Sequence, residues 1–402
     1  MPRLLEGSEH RSAALVLSPE APYPPVGGGA LRTASLLEYL SESYDVDLIA
    51  FREPGAADPR AAAPRGRFRS IHVLELPEHR KGRLARAARN LRRLLVGRPP
   101  LNDRFAGFDR RLRLCLSGRR YRLAVIEHFW CAPYVCELAA HADRVVLDLH
   151  NVESELHRQL ACTERFPLGL AFARFARCCR RMEQIWLPRF SLLLAASEQD
   201  AARLRALAPT TPLAVYPNAI PLVAQPRPPE REAVVFSGNL EYHPNLVAVR
   251  FFRREIWPLL RASRPGLVWR VIGKNPHAVA KYLEGDPRIE LVGPVGDAVA
   301  ALAEARVVVV PLLAASGTRF KILEAWAAGR AVVSTRVGAE GLNARDGEHL
   351  LIADEPRAFA QAVSLLLDAP DKRAALGSAG RALYEERFSW QAAWRHLAAA
   401  GL

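Results

Sequence analysis

The sequence predicts an α/β protein of two doubly wound domains facing one another across a cleft. Three observations predict it. Short β-branched runs bounded by glycine, proline and polar residues alternate with segments that carry apolar stripes at helical spacing. The alternation falls into two series, and prolines concentrate between them, at Pro217-Asn-Ala-Ile-Pro221 and again at Pro226, Pro228 and Pro229, as in a domain linker. With 402 residues, 50% of them hydrophobic, the chain can bury two cores of ordinary size. The expected boundaries are a first domain over 1–217, a linker over 218–231, a second domain over 232–387 and a terminal helix over 388–402.

In the first series, 11–18 reads as a buried strand, followed by a proline and glycine loop over 19–29 and a helix over about 30–40. Gly27, Gly28 and Gly29 make the loop phosphate-loop-like, but they match neither the dinucleotide spacing nor the Lys-bearing phosphate loop, so a flexible turn stays open. Strands are expected at 45–51, 71–76, 123–127 and 145–149; the last two run into Glu127-His128 and Asp148-Leu-His150-Asn-Val-Glu153. Strand C-termini in open α/β sheets face the ligand crevice, which makes these polar ends candidates for a site. One long helix is expected over 164–186, with Phe166, Leu170 and Phe175 set among arginines, and strands at 191–197 and 213–216 close the sheet.

The net charge of +14 is concentrated: fifteen Arg or Lys stand against Asp103 and Asp109 between Arg80 and Arg122. Within that segment Leu84, Ala88, Leu91 and Leu95 share one helical face, with Arg83, Arg86, Arg89, Arg92 and Arg93 around the rest. Such a basic amphipathic helix makes an anionic membrane surface a candidate partner, and a solvated arginine-rich face is the alternative. Nucleic acid is not expected, because the run lacks interleaved aromatics and matches no recognition motif. The six cysteines show no C-x-x-C spacing and are expected as buried free thiols, so no structural metal is expected. No stretch approaches the length of a membrane span and the only early apolar run, 13–17, is too short for a signal core; a cytoplasmic location is expected, peripheral on the inner face of the membrane if the basic helix docks there.

The second series opens with a strand over 233–239 ending in Gly238-Asn239, then a helix from near Pro244. Strands at 267–273, ending in Gly273-Lys274, and at 289–292, 306–311 and 331–335 complete a parallel sheet, with helices from about 356 onward. Between the last two strands lies Ser316-Gly-Thr-Arg-Phe-Lys-Ile-Leu-Glu-Ala-Trp-Ala-Ala-Gly329. Ser316 and Thr318 are candidate N-caps, Ile322, Leu323, Trp326 and Ala327 give the apolar stripe, and Gly329 stands where the helix stops. Free amides at such a helix start, with Arg319 and Lys321 in its first turn, would grip a diphosphate. Glu324, one turn on, would suit two adjacent hydroxyls; a surface Lys321–Glu324 pair is the bland alternative.

Gly317-Thr-Arg-Phe-Lys-Ile-Leu-Glu-Ala resembles the donor-site signature of the retaining glycosyltransferases of family 4, which have the GT-B fold of two Rossmann-like domains, in the branch reading G-T-R-x-K-x-x-E-A. The better-known pattern has two glutamates; here Ser316 occupies the first position and only Glu324 matches the second. Tyr-Pro-Asn-Ala219 resembles the P-N-G segment at the interdomain crossing, with Ala219 replacing glycine, and Asn239 and His243 stand where many relatives carry cations. Asp-x-His150-Asn-x-Glu resembles the acceptor-side histidine motif.

The resemblance implies a retaining glycosyltransferase that moves a sugar from a nucleotide diphosphate sugar to a glycan, polysaccharide or lipid-linked acceptor, without metal or other cofactor. It implies His150, Arg319 and Lys321 as catalytic residues, His150 by touching the acceptor or donor sugar; for His128 a structural role is preferred. Donor contacts are expected from Gly28, Gly29, Gly238, Asn239, Lys274, Ser316, Gly317, Thr318 and Glu324, and the terminal helix is expected to pack back on the first domain. Two rivals stand beside this reading, a nucleotide-sugar epimerase of the same fold and a non-catalytic relative that docks on a membrane or partner through its basic face.

Overall fold

The computed structural model describes residues 11–78, 82–315 and 319–402. The first sheet holds seven parallel strands: β1 Ser12–Ser18, β2 Tyr44–Arg52, β3 Ser70–Glu75, β4 Tyr121–Glu127, β5 Ala142–Leu149, β6 Leu192–Ala195 and β7 Leu213–Val215. Their order is β3-β2-β1-β4-β5-β6-β7. The second sheet holds six: β8 Arg231–Ser237, β9 Val268–Ile272, β10 Ile289–Val292, β11 Ala305–Val310, β12 Ala331–Ser334 and β13 Leu351–Ile352, in the order β10-β9-β8-β11-β12-β13. All registers are parallel, so each sheet is covered by helices on both faces, and its central strands are the unbroken apolar runs that such burial requires. The strand order reverses between β1 and β4, and between β8 and β11; at these points neighbouring loops diverge and leave a crevice.

The helices that position the site are α1 Gly28–Ser43, α2 Arg83–Val96, α3 Glu153–Thr163, α4 Leu168–Trp186, α5 His243–Phe251, α6 Phe320–Ala327 and α7 Trp390–Ala399. α1 begins two residues earlier than the sequence suggests, so Gly28 and Gly29 form its first turn instead of belonging to the loop. The long helix expected over 164–186 is α4, which starts four residues later, just after Pro167; α3, which precedes it over Glu153–Thr163, is not among the expected elements. The edge strand β13 has no sequence signal, being two residues long. α5 carries Pro244 in its first turn, and α6 stops before Gly329, whose φ of 67° only glycine adopts without strain.

The two domains meet along the cleft. Leu156 and Leu160 of α3 pack on Ala314, and the Ala315 amide donates to Gln159 Oε1 at 2.8 Å. Glu164 accepts from His243 (2.9 Å) and Arg250 (3.3 Å), and Arg203 pairs with Glu340 at 2.5 Å. α7 lies on the first domain: Ala393 and Leu397 join its core, and Trp394 Nε1 donates to Ser35 Oγ at 3.0 Å. The cysteines are free thiols, but only Cys131 and Cys179 are buried, since Cys136 and Cys162 fall on solvent-facing helix surfaces. Among the described residues no helix is long and apolar enough to cross a membrane.

Candidate active site

The second-domain wall of the cleft is built from three strand ends. β8 ends in Gly238 and β9 in Gly273, with φ of 151° and 155°. A Cβ on Gly273 would fall 1.7 Å from the Gly238 carbonyl, so only glycine lets these two turns pass one another. Asn239 is consumed by that crossing: its Oδ1 accepts from the Glu241 amide and from Asn275 Nδ2, and its carbonyl accepts from Asn245 Nδ2. Asn239 thus holds the loop through its Oδ1 and carbonyl, and remains exposed at the strand end. Lys274 leaves the same turn and reaches across the cleft to donate to the Val26 carbonyl at 2.8 Å.

After β11 the chain enters α6. Arg319 is its N-cap and Lys321 lies in its first turn. The candidate caps Ser316 and Thr318, with Gly317, lie outside the described residues. Lys321 Nζ donates to Asn245 Oδ1 at 3.0 Å and sits over the Phe236 ring at 5.3 Å, turning away from the surface pair with Glu324. Burial, with Arg319 nearby, lowers its ammonium to about 8, while burial raises the Glu324 carboxyl to about 7. The Arg319 side chain is only 5% exposed and donates to the Val337 carbonyl at 3.1 Å; its Nε and Nη1 have no partner among the described residues. This is a deeper setting than a surface phosphate clamp, imposed because the N-cap residue is turned back under the loop after β12.

The first-domain wall is a buried network. Arg32 of α1 forks onto Asp148 (2.8 and 2.5 Å) and donates from Nη1 to the Tyr216 carbonyl (2.7 Å) and Asn218 Oδ1 (2.8 Å). Glu127 Oε2 accepts from Thr33 Oγ1 at 3.0 Å and lies 2.6 Å from His150 Nε2. Burial pushes the Glu127 carboxyl up to about 7 and the His150 imidazolium down to about 3. At neutral pH this network holds a neutral imidazole against a carboxyl poised to carry a proton. His128 covers it, its ring 3.5 Å from that of His150 and stacked at 4.1 Å on Trp130. Beyond, Trp130 Nε1 donates to Glu153 Oε1 at 2.9 Å, and Glu153, crowded by Glu183, is raised to about 7, chiefly by burial.

The two histidines differ in setting. His150, expected to face a sugar, directs Nε2 to Glu127, whereas His128, expected to be structural, has an Nε2 with no partner among the described residues. That nitrogen lies 3.5 Å from where a Gly29 Cβ would stand, and Glu20 Oε1 occupies the same space at 1.8 Å. His128 also holds a φ of 63°, uncommon for a non-glycine residue. Gly28 has a matching role across the cleft, because its Cβ would strike the Phe320 ring of α6 at 2.6 Å. Lys274, Gly28, Gly29 and the start of α6 are therefore brought together, with Glu20 and His128 beside them. Sequence reading missed Glu20 and Arg32, which sit in no motif; the only signal for Arg32 was a cation inside the apolar stripe of α1.

Glu127, Asp148 and His150 also bring ligand atoms within 4.8 Å of one another. Both Asp148 oxygens already face Arg32, so the donor set suits a cation that the fold itself supplies.

Residues 231–369 match the family model described as Glycosyl transferases group 1. Sucrose-phosphate synthase from Thermosynechococcus elongatus superposes with a TM-score of 0.75 at 17% identity, covering 97% of this chain and 98% of that one. HepE from Anabaena, solved with UDP and glucose, superposes with a TM-score of 0.66 at 15% identity over 96% of this chain and 99% of that one. The fold is GT-B. The family match is confined to the second domain. An uncharacterized 44.6 kDa protein in the cps region of Klebsiella pneumoniae is 22% identical over 370 residues, 86% of this chain and 89% of that protein.

Proposed function

We propose that the chain transfers a sugar from a nucleotide diphosphate sugar to a glycan, polysaccharide or lipid-linked acceptor, with retention at the anomeric carbon and without a metal ion. The observation that carries this reading is Lys321: a half-buried ammonium at the start of α6 whose hydrogen-bond acceptor is the neutral amide of Asn245. Among the described residues no carboxylate forms an ion pair with it, although Glu324 is near enough to favour its charged form. A diphosphate at the crevice between β8 and β11 would supply a paired anion, and the free amides of a helix start would add to the grip.

In the proposed reaction the bond from the anomeric carbon to the diphosphate oxygen breaks, the acceptor hydroxyl oxygen bonds to that carbon on the same face and its proton passes to the departing diphosphate, while Lys321, with Arg319 behind it, stabilises the charge that develops on the departing oxygen. Lys274 and the first turn of α1 close the cleft over the diphosphate, while His128 and His150 with Glu127 shape the sugar end. Glu324, raised toward neutrality when free, would be drawn to its charged form by hydrogen bonds from two adjacent hydroxyls. HepE's complex with UDP and glucose makes UDP the first nucleotide to try.

Calorimetry with nucleoside diphosphates, followed by turnover of the matching nucleotide sugar, tests the proposal. Tight binding with transfer that requires an acceptor supports it. Conversion of the nucleotide sugar without an acceptor would favour an epimerase, and absence of binding to any nucleoside diphosphate would leave a docking protein.

A further inference from the structure

We propose that the outward face of α2, with the corner that leads into α4, is a docking surface for an anionic phospholipid bilayer. The inference stands on α2 itself and does not depend on the sugar-transfer reading. In a globular protein an amphipathic helix turns its apolar stripe inward. α2 does the reverse. Leu84, Leu91 and Leu95, which share one stripe, are 88%, 57% and 72% exposed. The opposite face is the one that packs on the domain: Arg93 is only 7% exposed and donates from Nε to Asp103 Oδ2 at 2.9 Å.

The helix is held in this inverted pose at its C-terminal end. Gly97 caps it with a φ of 70°, and Arg174 of α4 donates to the Leu94 and Leu95 carbonyls, a cation on the negative end of the helix dipole. That contact sets Leu95 beside α4, where Leu170, one turn before Arg174, is also exposed, as is Phe166 in the corner before the helix. The apolar patch therefore crosses from one helix to the other. Exposed arginines flank it, Arg86 and Arg92 on α2 and Arg177 and Arg181 on α4.

This pairing of apolar side chains with a ring of cations selects the occupant. A soluble polyanion would use the arginines and leave the leucines in water, whereas a bilayer with acidic headgroups accepts both. Phe166 follows closely on Glu164, which pairs with His243 and Arg250 of α5 across the cleft, so the surface borders the cleft mouth. A bilayer seated here would present a membrane-borne acceptor at that edge.

Flotation of the full chain with phosphatidylcholine vesicles, with and without phosphatidylglycerol, tests the proposal, with light scattering on the lipid-free protein. The expected result is flotation with the acidic vesicles only, weakening as salt is raised. Because these leucines are already solvent-exposed, L84S/L91S/L95S should leave the melting temperature unchanged and lower partitioning by on the order of tenfold per leucine that inserts. Failure of the wild-type protein to float overturns the proposal, as does flotation that the triple variant retains. A dimer in the absence of lipid that the triple variant abolishes would assign the face to a second copy of the chain, and overturns it as well.

Discussion

On the first-domain wall of the cleft, charge is answered by charge: Arg32 forks onto Asp148, and Glu127 faces His150 and Thr33. On the second-domain wall, among the described residues, Lys321 donates to an amide and Arg319 to a carbonyl. Both walls stand at strand ends beside a switch point, so the difference is not one of fold position. It reflects what each wall lacks. A network whose main charge, Arg32, is fully paired stabilises the domain and fixes side-chain geometry, whereas cations that lack a directly bonded carboxylate among the described residues are a cost that a bound anion can relieve.

Mutations on the two walls should therefore fail in different ways, and the largest effect belongs to the first. Arg32→Ala leaves Asp148 buried and unpaired and removes the bonds to Tyr216 and Asn218. It is expected to cost about 3–5 kcal/mol of stability, the range for breaking a buried pair. Urea denaturation measures it; a loss below about 1 kcal/mol would mean the network is not what holds the domain to its linker.

That contrast also explains what was legible in the sequence. The second-domain residues lie in one continuous run after β11, so strand, helix start and stop could be read by period and composition, and the cations fell where the pattern put them. The first-domain network draws Arg32 and Thr33 from α1, Glu127 from β4, Asp148 and His150 from the end of β5 and Asn218 from the linker. No local spacing encodes such a set. Strand ends could be recognised, and with them Glu127 and His150, but not which histidine faces inward. That choice rests on Thr33 and Arg32 packing behind Glu127, which only the assembled sheet brings about. The start of α4 reads four residues early because the apolar and arginine spacing reaches back past Pro167.

On the second wall the loss should appear in binding. Lys321→Ala is expected to weaken a nucleoside diphosphate by about 1.5–3 kcal/mol, roughly ten- to a hundredfold, while urea stability stays within about 1 kcal/mol of wild type or rises. Calorimetry and denaturation on the same variant read both numbers. Unchanged affinity would move the phosphate site away from α6.

The lowered pKa of Lys321 adds a pH signature. In the free protein its ammonium titrates near 8, and a bound diphosphate raises that value. The binding it contributes is therefore fully present below about pH 8 and is lost as pH rises from there toward the pKa of the complex, by up to about tenfold per pH unit. Lys321→Arg should flatten the profile, since a guanidinium keeps its proton throughout. A wild-type profile flat from neutral pH upward would show that Lys321 does not meet the anion.

A smaller effect tests whether the walls act together. Gly28→Ala places a Cβ against Phe320, so the domains cannot close to their present separation unless the ring moves. Nucleoside diphosphate affinity should fall only slightly, because Lys321 and Arg319 keep the main grip in the second domain, while transfer falls by about tenfold from misplaced reactants. Adding Phe320→Ala should restore part of the rate. A Gly28→Ala enzyme with full transfer would show that this approach is not used in catalysis.

The smallest expected effect is none at all, from removing divalent metal. Glu127, Asp148 and His150 are close enough to suggest a metal cage, and a catalytic metal there would overturn the distinction between a self-satisfied wall and an anion-seeking one. Three features of the donor set argue against it. Asp148 presents both oxygens to Arg32, so a divalent ion would have to displace a guanidinium from its fork. His150 already directs Nε2 at Glu127, and Glu127, titrating near 7, is a poor anionic ligand at neutral pH. On the other wall the carboxylate nearest the proposed diphosphate is Glu324, beside Lys321, and one carboxylate next to a cation is a weak site for a hard ion. Transfer should therefore run at the same rate in excess EDTA, and magnesium or manganese should not raise it. Loss of activity in chelator, restored by either ion, would mean that Arg32 leaves Asp148 during turnover and that the first-domain wall is a metal site whose cation is exchangeable.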